Sequence, residues 1–445
     1  MKLNIGRTAL VGMAFMAISA FWGLYDFAVP LILKDTYALG ETATGVVMAM
    51  DNVAALVLLP LFGALSDRRG RRMPFILWGS MAASALMVLL PAVVRQGMMA
   101  PVRGEGLAAF LVLLGLLLIT MGTFRSPTVA LMPDVTPRHL RSRGNAIINL
   151  MGGIGSALSL VLTKLLVVKT VNAAGASVSD YTWLFVTVAA VMAVSAWVVR
   201  LCIPEERLRA EADAVNARMS AAEKPGRPAH PVRQLSRAEL RSLVLILLSV
   251  ALWFMAYNAI TTAFSRYAME IWKLESEGDA AICLLIATAA AIAAYWPVGL
   301  LSSRFGRKKM ILAGVALLMI AFAGAWLLQE RLTLQSHLSP LACLLFLLVG
   351  VGWASIGVNS YPMVVELASG ADVGRYTGYY YTFSMAAQVL TPVLSGALLE
   401  HVGYWTLFPY ALAMASAAFV TMLFVRHGDS KPEAKTGLEA LDVED

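Results

Sequence analysis

Twelve apolar stretches, each about twenty residues long and separated by polar breaks, run along this 445-residue chain. As α-helices such stretches are long enough to cross a hydrocarbon layer of roughly 30 Å. Spans are predicted at 8–32, 43–66, 73–95, 107–133, 144–168, 181–203, 242–268, 280–303, 309–328, 340–366, 376–400 and 403–426. The first stretch is too long for a cleavable leader and has no cleavage site, so it reads as the first span. An even number of spans puts both termini on the same side. One long polar interruption, 204–241, is rich in Arg, Glu, Ala and Pro and divides the spans six and six. It is predicted as a solvated central linker, cytoplasmic like the termini, between bundles at 1–203 and 242–426, although Glu205–Met219 has a helical pattern. The tail, 427–445, is polar, ends acidic and is predicted to be disordered. The expected class is an all-α membrane protein.

Composition agrees with this pattern. The chain is 59% hydrophobic and only 14% charged, far from the balance of a soluble domain. Its net charge of +7 carries topology and gives no reason to expect a nucleic-acid partner. Basic clusters fall on alternate loops, at Arg68–Arg72, Arg138–Arg143, Arg207–Arg241 and Arg304–Lys309, while Glu270–Asp279 is a short loop of the other kind. The positive-inside rule then predicts a multi-pass protein of the plasma or inner membrane with cytoplasmic termini and the lipid bilayer as its surroundings. Cys202, Cys283 and Cys343 are scattered along apolar segments without metal-ligand spacing. No His/Cys/carboxylate cluster, nucleophile elbow or phosphate loop points to an enzyme or a metal cofactor. A monomer is expected, and the tails are too short to hold a signalling domain.

A ten-residue basic turn occurs twice. Gly63-Ala64-Leu65-Ser66-Asp67-Arg68-Arg69-Gly70-Arg71-Arg72 and Gly299-Leu300-Leu301-Ser302-Ser303-Arg304-Phe305-Gly306-Arg307-Lys308 occupy equivalent breaks in the two halves. Two parallel six-span repeats explain this. The first copy resembles the signature loop of the major facilitator superfamily at every defining position, and the second replaces the acid with Ser303. The resemblance implies a major facilitator fold of two six-helix bundles, a central cavity between them, and rocking alternating access.

Ionised groups inside a span cost at least ~2.5–3.5 kcal/mol, so they usually face a bundle interior or cavity and do something there. Asp26, Asp51 and Arg125 are such groups, the two acids towards the outer half and Arg125 nearer the middle. Desolvation favours the neutral form of a carboxyl group, and a neighbouring guanidinium favours the charged form. A carboxylate that trades an arginine for a proton is therefore a workable coupling device. Asp26 with Arg125 resembles the acid–arginine pair of proton-coupled sugar symporters. Static buried ion pairing is the plainer alternative.

Asp134 ends the fourth span, and Arg141 and Arg143 open the fifth. With Asp67 and Arg71 they are predicted to form a cytoplasmic salt-bridge gate, and Glu366 with Arg375 its counterpart in the second half. Gly63 and Gly70 are expected to permit a close helix contact and the turn. Gly152, Gly153 and Gly155 read as another tight contact.

Aromatic rings paired with amides or hydroxyls suit a sugar, which offers apolar C–H faces and hydroxyl groups. Candidate substrate-binding residues are Trp22, Tyr25, Arg125, Trp253, Tyr257, Asn258, Trp353, Asn359, Tyr380 and Gln388, with Tyr379 nearby. Met50-Asp51-Asn52, the run to Asp67, and Arg125-Ser126-Pro127 through Asp134 to Asn145 resemble the sucrose/maltose-type branch, related to glycoside–pentoside–hexuronide cation symporters. The resemblance implies cation-coupled uptake of a di- or oligosaccharide. Asp51 has Ala55 one turn on rather than a second acid, which favours a proton over sodium. The alternative is a proton-driven exporter of drugs or other small organic molecules. Gly152-Gly153-Ile154-Gly155 lacks the proline such exporters usually carry there.

Overall fold

The computed structural model describes residues 3–100, 105–137, 140–171, 175, 177–222, 236–274, 277–333, 339–367 and 373–428. The chain forms two compact units, Met1–Glu223 and Lys224–Asp445. Among the described residues, twelve helices are long and apolar enough to span a membrane, six in each unit.

In the first unit these are α1 (Ile5–Asp35), α2 (Glu41–Arg69), α3 (Met73–Met99), α4 (Leu107–Val135), α5 (Arg141–Leu166) and α6 (Thr182–Cys202). A further helix, α7 (Glu205–Ala222), follows. A small antiparallel hairpin joins α5 to α6: β1 (Val168–Val171) pairs with β2 (Ser177–Asp180) in the register Val168 opposite Asp180. The apolar pattern extended the fifth span to 168 and gave no sign of these strands. The second unit contains α8 (Arg237–Glu270), α9 (Glu277–Phe305), α10 (Arg307–Leu327), the short α11 (Gln329–Thr333), α12 (Pro340–Val365), α13 (Val373–His401) and α14 (Leu407–Leu423). Helix α8 starts five residues before the predicted 242. Ser236 and Glu239 form a capping box that fixes its first turn. Pro30, Pro60, Pro127, Pro297 and Pro392 lie within helices, as spans packed against neighbours tolerate.

The two units share one packing plan. In the first, α1 packs on α5 and α6, α4 on α2 and α3, and α3 on α6. In the second, α8 packs on α13 and α14, α12 on α9 and α10, and α10 on α14. The duplication read from the two basic turns is therefore also a duplication of helix contacts. The second span of each unit opens on a buried glutamate, Glu41 or Glu277, at the helix end whose dipole favours an anion.

The α1–α5 crossing is the tightest contact in the first unit. A Cβ at Gly155 would run into the Met16 carbonyl, and one at Gly152 would meet the Phe15 ring at 2.7 Å. Small residues here let the backbones approach, as expected where lipid gives no hydrophobic drive between helices. Helix α8 buries a charge that the sequence pattern did not single out. Arg266 is 4% exposed, one turn from the end of the helix.

Candidate functional site

The signature turn organises the first unit's loop end. Asp67 and Asp134 lie in the last turns of α2 and α4, where the helix dipole disfavours a carboxylate. Gly70 takes the left-handed conformation (φ 64°) and ends α2, so the chain reverses over three residues. Arg72, at the N-cap of α3, then folds inwards: its Nε donates to Asp134 Oδ2 at 2.9 Å, and its other nitrogens bond the Asp67 carboxylate and the Ser66 hydroxyl. Gly63 makes room, since a Cβ there would press on Ser126 Oγ of α4 at 2.8 Å. Burial alone would lower the Arg72 pKa. Its bonds to Asp134 and Asp67 more than offset this and hold it above the ordinary value.

This corrects the expected Asp67–Arg71–Asp134 network. Arg71 points the other way and pairs with Glu206 on α7. Arg141 Nε donates to the Thr136 carbonyl at 3.3 Å, and the side chain of Arg143 lies outside the described residues. The solvated linker is corrected as well. Its first half is α7, docked on the bundle: Glu205 accepts from the backbone N–H of Arg72 and of Met73, capping α3. Leu208 is buried in a cluster with Val11, Met73, Val135 and Val199. Arg209 donates to the Gly70 carbonyl at 2.9 Å. The remainder of 204–241 up to Ser236, and the tail beyond Gly428, lie outside the described residues.

The second copy of the turn is shorter, and that changes its pairing. Only Gly306 separates α9 from α10, and Arg307, which aligns with Arg71 in the repeat, opens α10 and takes the pairing part that Arg72 takes in the first unit. Arg307 bonds Glu366 and the Pro362 carbonyl at the end of α12. Glu366, predicted to pair with Arg375, thus has Arg307 as an ion-pair partner, and Arg375 donates to the Tyr379 hydroxyl at 2.7 Å. Lys308 caps the end of α14 through the carbonyls of Leu423 and Val425.

Deeper in the first unit, Trp22 (α1), Asp51 (α2) and Arg125 (α4) line one small pocket, walled by Leu58, Leu118 and Gly122. The Arg125 guanidinium lies over the Trp22 ring, 5.2 Å from its centroid, and the Trp22 indole nitrogen is buried without a hydrogen-bond partner. Asp51 accepts from the Asn52 amide at 2.9 Å. Asp26 interacts electrostatically with both Asp51 and Arg125. The three ionisable residues predicted for the spans are thus gathered in one place. Tyr25 is not part of the lining: it is 1% exposed, and its hydroxyl reaches the Val47 carbonyl at 3.5 Å.

In the second unit, Tyr257 stacks on Trp353 with centroids 3.8 Å apart and planes 9° from parallel. Asn258 follows on α8 with its amide nitrogen buried and unpartnered. Trp253, by contrast, is fully buried in the packing, and the residue beside it, Phe254, meets Trp353 edge-on at 5.2 Å. Asn359 is buried and donates back to the Ser355 carbonyl of its own helix. Gln388 does the same to Ser384 at 3.4 Å. Tyr380 is buried, with its hydroxyl 3.0 Å from Ser360 Oγ. Tyr257, Asn258 and Trp353 therefore come together, whereas Trp253, Asn359 and Gln388 are held in helix packing.

A profile described as Major Facilitator Superfamily matches residues 11–329 and 273–443, nearly the whole chain. The chain belongs to the major facilitator superfamily. It is a membrane transporter, and its fold is that of the family. An inward-open xylose transporter from E. coli superposes with a TM-score of 0.69 at 14% identity, covering 98% of this chain and 99% of that one. A D-xylose–proton symporter gives 0.68 at 14% identity, covering 96% and 99%. The nucleoside transporter NupG gives 0.66 at 14% identity, covering 95% and 100%. No curated protein matches the chain significantly. At such identities the likeness concerns the fold alone, so the substrate of this major facilitator transporter has to be argued from its own residues.

The residues the sequence reading missed are Arg72, Glu205, Arg307 and Phe254. Each lies beside a residue it did single out or at the edge of a marked segment: Arg71, the linker, Gly306 and Trp253.

Proposed function

We propose that this transporter moves a di- or oligosaccharide inwards together with a proton, by alternating access, across the plasma or inner membrane with both termini cytoplasmic. The observation that carries the reading is the pocket shared by Trp22, Asp51 and Arg125, with Asp26 in electrostatic reach of its charges. An arginine near two carboxylates in a span favours the ionised form of one of them. When Arg125 is drawn to a substrate hydroxyl or to the other acid, the released carboxylate takes a proton, and loading and protonation become linked. Within the first unit the Trp22 ring supplies an apolar face and its indole N–H a donor that still lacks a partner; within the second, the Tyr257–Trp353 pair supplies apolar faces and the Asn258 amide a donor, and each set suits a pyranose ring. The coupling ion is assigned as a proton because no second acid stands one turn from Asp51. The Arg72–Asp67–Asp134 network closes the loop end of the first unit and is released when that end opens.

The test is sugar-evoked alkalinisation outside de-energised cells or vesicles, scanned over sucrose, maltose, melibiose and longer glucosides. One sugar should raise the external pH. No rise with any sugar, together with movement of lipophilic cations, would replace the reading with an exporter.

A further inference from the structure

The central Tyr257–Trp353 pair does not stand alone. Phe254 bridges it to a second group, meeting Trp353 at 5.2 Å and Tyr380 at 6.5 Å, edge-on in both cases. Tyr380 contacts Tyr361 at 5.5 Å and Tyr381 at 5.6 Å, and Tyr361 lies 6.3 Å from Tyr381 with planes 39° apart. At 1.5 Å per residue, Trp353 is roughly 18 Å from the end of α12 at Val365, and Tyr361 only about 6 Å. The aromatic row therefore runs from mid-span to the loop end of the second unit.

Tyrosines near a span end often anchor at lipid headgroups. Two of these are occupied otherwise: Tyr380 pairs with Ser360, and the Tyr361 hydroxyl pairs with Thr377 Oγ1 at 2.9 Å. Their hydroxyls are spent on tying α12 to α13, which fixes the rings in place. Phe254, Tyr257, Trp353, Tyr361 and Tyr381 all remain partly exposed. Tyr380, buried between them, links the two groups, and the partly exposed rings on either side of it, without charge, offer successive faces to a ring-bearing molecule while holding it weakly at each.

We infer that Tyr361 and Tyr381 form a second, weaker stacking station for the ring of the transported glycoside. The row through Phe254 hands the substrate from the Tyr257–Trp353 site to the loop end. This rests on the glycoside reading for the identity of the ligand and adds a site that governs release rather than initial binding.

The test uses purified full-length protein in liposomes, with Tyr361→Leu and Tyr381→Leu beside Tyr361→Phe and Tyr381→Phe. Equilibrium binding and the maximal rate of exchange are read with the sugar that evokes flux in wild type. The Leu variants should bind within about twofold of wild type but exchange about fivefold to tenfold more slowly, and the Phe variants, which keep the ring and lose only the hydroxyl, should stay within about twofold of wild type in both. Phe variants as slow as the Leu variants would reduce the tyrosines to hydroxyl ties between helices. Leu variants at wild-type rate would remove the station. If Tyr361→Leu does not fold, Tyr381→Leu and Tyr381→Phe decide. Wild-type protein that moves no sugar refutes the glycoside reading alone, and the same variants are then compared on a nucleoside, another ring-bearing solute.

Discussion

Replacing Arg72 should hurt far more than replacing its neighbour Arg71, although the two adjoin in one basic turn. The Arg72 side chain is 7% exposed, and its partners Asp134 and Asp67 are 21% and 63% exposed. Removing one partner of a fully buried pair costs ~3–5 kcal/mol, because a charge is left uncompensated. Asp134 keeps some water, which brings its share to about 2 kcal/mol, and the exposed Asp67 adds under ~1. Arg72→Ala should therefore destabilise the first unit by about 2–3 kcal/mol, lowering its unfolding midpoint in detergent by roughly 5–10 °C. Arg71 and Glu206 are 63% and 69% exposed, so Arg71→Ala should cost under ~1 kcal/mol. A double-mutant cycle with Asp134→Ala separates the pair from its surroundings: Arg72 and Asp134 should couple strongly, and Arg71 and Asp134 not at all. Equal losses for Arg71→Ala and Arg72→Ala, or coupling of Arg71 to Asp134, would refute the reasoning.

Three further outcomes are expected. Glu205→Ala uncaps α3 at two backbone N–H groups and should lower the unfolding midpoint, with Glu205→Gln recovering part of the loss; an unchanged midpoint would show that α7 braces nothing. Glu366 should couple to Arg307 by about 1 kcal/mol or more in a double-mutant cycle and to Arg375 negligibly, and the reverse order would restore the pairing read from the sequence. Gly155→Val drives a side chain into the Met16 carbonyl and should abolish folded yield, whereas Gly115→Ala, with nothing within 4 Å, should be neutral; a well-folded Gly155→Val would show that the α1–α5 contact yields.

The spans were legible because a helix in lipid must be apolar over a fixed length, and the repeat because Gly63 to Arg72 and Gly299 to Lys308 share both glycines, the leucine, the serine and two arginines at the same spacing. Which neighbour does the chemistry was not legible. Arg71 and Arg72 differ only in where the chain points after Gly70, and Trp253 and Phe254 lie about 100° apart around a helix that is apolar on most faces. Arg307 rather than Lys308 takes the pairing role because the second turn is two residues shorter between its helices, a boundary the composition does not mark. The clustering of Asp26, Asp51 and Arg125 was easier to anticipate, since charges in spans have few places to go. The docking of α7 was hidden by its polar composition, through which the buried positions Leu208 and Ala212 are spaced one turn apart.

In the proposed mechanism a carboxylate near Arg125 couples proton movement to sugar movement. Its most direct test compares wild type with Asp26→Asn in proteoliposomes, measuring proton-driven accumulation and sugar-for-sugar exchange on the same preparation. Asp26→Asn should lose accumulation and sugar-evoked proton flux while retaining exchange, since the sugar surfaces are untouched. Intact accumulation and proton flux in Asp26→Asn would contradict that assignment and transfer coupling to Asp51.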